Sequence, residues 1–359
     1  MKTTTYTNLS DLHDNLLLRN SVQEDFIEPF DRIKFDVGTG PLLAEIRDTE
    51  YAIGETAHEN LRVASEMGAY YDKLLARDNE LLAYNLNARL GRNPKPMMIR
   101  TEINDENQPE VRGFLSNSYK IIDGILGVDE LREYEPYFDG WQMTEAYVGH
   151  GDVRVNFTNP GLRTEVKAVG DVIEYGIQMR TNELGGGRFS FLSGIKILRC
   201  LNGAWGFDTI AKVNFIHRGT PMFNDEALLL SKKTLQLEAD LTRSAIRDGI
   251  KQAMSMTIEK LAPLGAMLNA AAERKIPSHI HAQKVIELVA KKYSVRGADD
   301  MLNRFTRNGM ISQYGVADAI TEMARDTESL EHRLELQETG AKIYAMNTTN
   351  WGALLQAAA

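Results

Sequence analysis

Between Trp141 and Gly219 apolar residues recur at every second position, and that alternation constrains the fold more than any other feature of the chain. Val153, Val155 and Phe157 alternate with Arg154 and Asn156. Ile173, Tyr175, Ile177 and Met179 alternate with Glu174, Gln178 and Arg180, and Val213 and Phe215 with Lys212 and Asn214. A period of two sends successive side chains to opposite faces of a strand. The block therefore reads as four or five strands, each with one apolar and one polar face. Gly149-His150-Gly151, Gly170-Asp171, Gly185-Gly186-Gly187 and Asn202-Gly203 supply the turns. The last is a favoured hairpin pair, because both residues tolerate positive φ.

The flanks follow a different period. Leu9, Leu12, Leu16 and Leu17 mark a first helix with Ser10 as its cap, and Ile33 to Val37 a short strand before the turn Gly38-Thr39-Gly40-Pro41. That turn lacks the Lys-Ser/Thr of a phosphate loop. Thr56 and Glu59 have the spacing of a capping box for a helix to Gly68. A further helix spans Tyr70 to Leu90, with a break at Asp78-Asn79, and ends at Gly91 to Pro96. Met97–Thr101 and Val111–Tyr119 read as a strand pair, followed by a short helix from Val128 to Tyr134. From Asn224 the pattern is helical: one helix to Leu261 before Pro263, one from Ser278 to Tyr293, one over 297–308, and a last from Ser312 to Met346 with Gly340 as a candidate break. These patterns give an α+β protein: a central antiparallel or mixed sheet covered on one face by helices, with a helical C-terminal region. The expected division is 1–223, centred on the sheet at 141–219, and 224–359, packed on it or mediating assembly.

Charge narrows the function classes. The 359 residues carry a net −9, made of −11 over residues 1–140 (15 Lys/Arg against 26 Asp/Glu), +4 over 141–300 (21 against 17) and −2 over 301–359 (5 against 7). An acidic whole disfavours indiscriminate coating of DNA, while a mildly basic centre leaves room for a local polyanion site. No apolar run approaches the roughly 18 residues of a membrane span. Residues 1–6 show no secretion signal, and the single cysteine, Cys200, excludes an internal disulfide; both fit a reducing cytoplasm.

No residue set spells out a reaction. His279 and His281 are two apart, so in a helix they face different ways and cannot share a metal ion. His217 has the parity of Val213 and Phe215, which reads as a core histidine in preference to a general acid or base. Cys200 reads as a small buried hydrophobe. No cofactor, metal or catalytic group is expected. Parity places Arg154, Arg180, Lys212 and Arg218 on the polar faces of their strands; Arg199 breaks the apolar alternation of Ile195 and Ile197, and with Arg188 in the glycine turn it is a better candidate for binding an anion than any histidine is for catalysis. Few aromatics accompany them, so any nucleic acid held there is held mainly through phosphates.

Several phrases together resemble the phage/plasmid-like family catalogued as domain of unknown function 932. They are Val111-Arg112-Gly113-Phe114-Leu115-Ser116 with Tyr119 and Asp123; Gly170-Asp171; Arg180-Thr181-Asn182-Glu183-Leu184-Gly185; Arg199-Cys200-Leu201-Asn202-Gly203; His217; and Tyr314 to Glu322. The similarity spans roughly residues 40–345. Thr181 and Asp318 depart from it, each standing where the pattern has asparagine. The resemblance implies a mobile-element context in a bacterial cytoplasm and no established reaction. By analogy of architecture, phage genes of this size and element order include proteins that anneal single strands. The expectation is a non-enzymatic accessory protein of DNA metabolism, homo-oligomeric, binding single-stranded DNA or RNA through Arg112, Lys120, Arg154, Arg180, Arg188, Arg199, Lys212 and Arg218. The alternative is a structural or host-interaction protein assembling through its C-terminal helices. An enzyme built around His217 is the third reading.

Overall fold

The alternating block forms a sheet, and a second sheet stands beside it. The structure is a computed structural model that describes residues 4–37, 40–197, 204–206, 212–215, 232–255, 258–327 and 330–359. The first sheet takes β1 (Thr4–Tyr6) and, far along the chain, β8 (Gln142–Val148), β9 (Asp152–Val166), β10 (Asp171–Asn182), β11 (Phe189–Ile197), β12 (Ala204–Gly206) and β13 (Lys212–Phe215). Its order is β1-β8-β9-β10-β11-β12, with β13 also on β11, and every pairing is antiparallel. The glycine turns at 149–151, 170 and 185–187 join its strands. Gly170 and Gly185 have φ of +75° and +86°, a region that costs other residues energy.

The second sheet has the order β2-β6-β7-β5-β4-β3, from β2 (Gln23–Pro29), β3 (Lys34–Val37), β4 (Leu42–Ile46), β5 (Thr49–Ile53), β6 (Pro96–Ile103) and β7 (Pro109–Ser116). One parallel pair, β5 with β7, makes it mixed. Three helices, α2 (Glu55–Ala64), α3 (Ala69–Leu75) and α4 (Asn79–Leu90), share its core through Ala57, Leu61, Tyr71, Leu82 and Leu86.

The first sheet has a separate and larger core. Leu12 and Leu16 of α1 (Leu9–Ser21), Val128 and Leu131 of α5 (Gly124–Tyr134), and Ile246 and Ile250 of α6 (Lys232–Met254) join Val155, Phe157, Ile177 and Met179 in it. The same core runs on into α7 (Ile258–Glu273), α8 (His279–Lys292), α9 (Ala298–Asn308), α10 (Gln313–Arg325), α11 (Leu330–Tyr344) and α12 (Thr348–Ala357). The α+β class with helices after the sheets is as the alternation suggests. The C-terminal helices continue the core of the first sheet, and the core of the second sheet is the separate one.

Local details differ from expectation for identifiable reasons. Asn8 caps α1, its side chain accepting from Asp11 N, so Ser10 lies inside the helix. Gly54 is the N-cap of α2 and makes no side-chain cap bond; Thr56 falls in the first turn, and no capping box forms. Asp78 splits the expected 70–90 helix by capping α4. Pro263 lies inside α7 rather than at its border. Gly340 lies inside α11, where it meets Thr321 of α10 at close range. Among the described residues, no helix is long and apolar enough to cross a membrane.

Candidate functional site

The two sheets meet along a seam of charge. Arg100 on β6 is fully buried and forks onto Asp25 of β2 (Nε to Oδ1 2.9 Å, Nη2 to Oδ2 3.0 Å). It also reaches Asp123, just before α5 (Nη1 to Oδ1 2.7 Å). Arg112 on β7 is 0% exposed. Its Nε lies 3.0 Å from Glu102 Oε2, and its Nη2 donates to Glu183 Oε2 (2.9 Å) and to the carbonyl of His150 (3.0 Å). Arg19 of α1 donates to the carbonyls of Gly149 and His150, so the β8–β9 turn hangs on two buried guanidinium groups. Glu183, at the end of β10, also accepts from Gly124 N (2.9 Å).

The electrostatics follow from this crowding. Burial alone would weaken the Arg100 proton's hold, but Asp123 and Asp25 more than reverse that and raise its pKa. Burial pushes Asp123 up, with Glu183 and Asp25 adding to the push. Glu183 is held below its ordinary value although burial opposes this, because Arg19 and Arg112 both face it. Burial lowers Arg19, and Arg112 adds to that. His150 is pushed down to about 4 by burial, Glu102 opposing and Arg112 and Arg19 reinforcing. Its imidazole is therefore neutral at pH 7.

At the outer edge of the seam, Glu102, Glu110 and His150 offer one ligand atom each, all within 4.8 Å of one another. Glu102 is buried, while Glu110 and His150 are half-buried. Asn104 holds Glu110 Oε2 (3.2 Å). Sequence reasoning gave His150 and both glutamates no role. The one available signal was the placing of His150 between two glycines, where the backbone passes close to neighbouring groups: a Cβ on Gly151 would stand 2.9 Å from Leu184 Cδ1.

The eight predicted cations do not form one surface. Arg112 belongs to the buried seam, so it is corrected from a ligand contact to an internal counter-ion. Register sets Arg154 directly opposite Arg180, and Lys212 opposite Leu192 on β11. The polar face these residues share is not an open plane. Asn156 and Gln178 are 1% and 2% exposed and bonded to each other (2.8 Å), and Arg180 Nη1 donates to Glu338 of α11 (3.0 Å). Arg154, Arg180 and Lys120 are half-buried and Arg188 is exposed. Tyr119 donates to the Asn182 carbonyl (3.1 Å), which brings Lys120 to the end of the sheet where Arg154, Arg180 and Arg188 lie. The side chain of Lys212, and all of Arg199, Cys200, the Asn202-Gly203 turn, His217, Arg218 and Asn224, lie outside the described residues. His279 and His281 occupy the first turn of α8 behind its cap Ser278; His279 is exposed, and His281 Nε2 lies 2.8 Å from the Leu355 carbonyl.

Residues from some of the phrases behind the family resemblance lie together and others do not. Arg112, Tyr119, Asp123, Asn182 and Glu183 meet at the seam. Tyr314 donates to Asp171, which ties α10 to the start of β10. Thr181 donates to the Ile122 carbonyl (3.2 Å), and Asp318 accepts from Asn308 (3.0 Å). Comparison with family models, characterised proteins and solved structures finds no match.

Proposed function

We propose that the chain is a non-enzymatic accessory protein of phage or plasmid DNA metabolism that binds single-stranded nucleic acid, acting in the host cytoplasm. The reading narrows the contact from the whole polar face to its end, at Arg154, Arg180, Arg188 and Lys120. One observation carries it: two arginines face each other across β9 and β10, and the acid that meets Arg180 comes from α11. Like charges directly opposite one another in a sheet repel. Such a pair suits a ligand that brings negative charge, and Glu338 occupies the position of an incoming phosphate. The Arg180 and Glu338 side chains are 32% and 44% exposed, so their bond contributes about 0–1 kcal/mol and is readily exchanged.

Fluorescence polarization with a labelled single-stranded oligonucleotide across a salt series tests this. Wild type binds and weakens steeply with salt; Glu338→Gln binds more tightly; Arg180→Gln binds more weakly, with a salt slope reduced by about 1. Absence of binding at low salt by wild type and Glu338→Gln alike overturns the reading.

A second observation favours assembly. Leu237 and Leu241, four apart on α6, are 58% and 70% exposed. An apolar pair at helical spacing suits a second copy of the chain. Leu237→Glu with Leu241→Glu should lower the mass seen by light scattering; an unchanged mass counts against self-association through α6.

A further inference from the structure

Among the described residues, the side chains of the seam carry more negative than positive charge. Asp25, Glu102, Asp123 and Glu183 face Arg19, Arg100 and Arg112, and Glu110 stands at the outer edge: five carboxylates against three guanidiniums, a formal surplus of two. Charge buried in low dielectric calls for compensation. Asp25 and Asp123 share Arg100 and so hold one of the two surplus charges; Glu110, beside Glu102 and His150, is the other.

The two carboxylates are also held from behind. Arg112 holds Glu102 by Oε2, leaving Oε1 toward His150 Nδ1 at 4.0 Å. Asn104 holds Glu110 by Oε2, leaving Oε1. Among the described residues, the buried His150 Nε2 meets no hydrogen-bond partner. Its backbone carbonyl accepts from Arg19 and Arg112, which fixes the main chain at this position. Gly54 keeps the space between these atoms open: a Cβ there would stand 2.7 Å from Glu110 Oε1 and 3.1 Å from His150 Nε2. Gly54 has φ −72°, which any residue adopts, so the demand for glycine is one of space. One imidazole and two carboxylates, Glu102 ion-paired to Arg112 and Glu110 bonded by Asn104, make the N/O donor set of a first-row divalent ion, with coordination positions left for water.

We propose that Glu102, Glu110 and His150 bind one divalent first-row cation of the class of Zn2+ or Mn2+ at the seam between the two sheets. This site is independent of the nucleic-acid reading. The full chain, stripped with chelator and dialysed, is titrated calorimetrically with ZnCl2 and separately with MnCl2. Wild type takes up a single equivalent of at least one ion. Glu110→Gln and His150→Gln each weaken that uptake by at least about tenfold. Both positions are half-buried, so the variants should keep the wild-type far-UV spectrum. Glu102→Gln is avoided, because it would leave buried Arg112 short of a counter-ion. His281→Gln, far from the seam in sequence and bonded to the C-terminal helix, should bind as wild type does. The proposal is overturned if neither ion binds saturably up to about 1 mM, if both seam variants bind like wild type, or if uptake is lost in His281→Gln instead.

Discussion

Arg112 shows how far a residue's role depends on what the fold brings to it. In sequence it is one of eight cations; in the fold it is enclosed by Glu102, Glu183 and the His150 carbonyl. Removing one partner of a buried pair strands the other charges, which typically costs roughly 3–5 kcal/mol. Arg112→Ala should lose about that much in urea unfolding, whereas Arg188→Ala, exposed in a turn, should stay within about 0.5 kcal/mol. His58 supplies a second prediction at this scale. Its Nδ1 lies 2.7 Å from the Tyr71 hydroxyl, and burial lowers its pKa below the ordinary 6.5. A depressed histidine takes up its proton more readily unfolded than folded. Its contribution is therefore full above about pH 6.5 and is lost as pH falls below that. Urea midpoints should drop from pH 7 to pH 5, and His58→Gln should show a shallower drop. His150 has the same sign, so the slope in the variant is reduced without vanishing.

Among the elements, α10 and α11 are locked by a missing side chain. Gly340 sits mid-helix, where alanine is ordinarily better by about 1 kcal/mol. Here a Cβ would land on Thr321 Cγ2, deep inside van der Waals contact. Overpacking of this kind costs about 1–3 kcal/mol and outweighs the propensity gain, so Gly340→Ala should destabilise. Thr321→Ser deletes the obstructing methyl and keeps the hydroxyl bond to the Asp318 carbonyl (2.9 Å). Combined with Gly340→Ala it should restore most of the loss; a thermal-melt double-mutant cycle with no coupling would sink the idea. The sequence suggested Gly340 only as a helix break, because a glycine in a helical run reads alike whether it bends the chain or admits a neighbour. The β8–β11 block was legible for the opposite reason: its strands are consecutive, antiparallel and apolar on one side. The second sheet was not assembled from sequence, because its strands are separated by α2, α3 and α4 and its one parallel contact joins Ala52 and Ile53 to Glu110 and Val111. The polar face was legible as polar, but nothing local announced that Asn156 and Gln178 would be buried or that Glu338 of α11 would meet Arg180.

Over the whole molecule, two hydrophobic cores are joined by a seam whose charges come from α1, β2, β6, β7, the segment before α5 and the end of β10, with the carbonyls of the β8–β9 turn drawn in. Each of these residues reads alone as an ordinary surface charge, so the candidate site was the least legible part of the chain. The seam also bears on cooperativity. Cores that share strong contacts unfold together, and weakening the contacts lets them unfold separately. Arg100 is the member that ties β2 to the segment before α5, through Asp25 and Asp123. The three tryptophans, Trp141, Trp205 and Trp351, all lie outside the second sheet and its helices. Tryptophan emission therefore follows the first core alone, while far-UV dichroism follows both. In wild type the two signals should trace one urea transition. In Arg100→Met, Asp25 and Asp123 lose their shared counter-ion, and the dichroism transition should broaden and separate from the emission transition. Coincident curves in that variant would mean that the cores are coupled through contacts other than this seam.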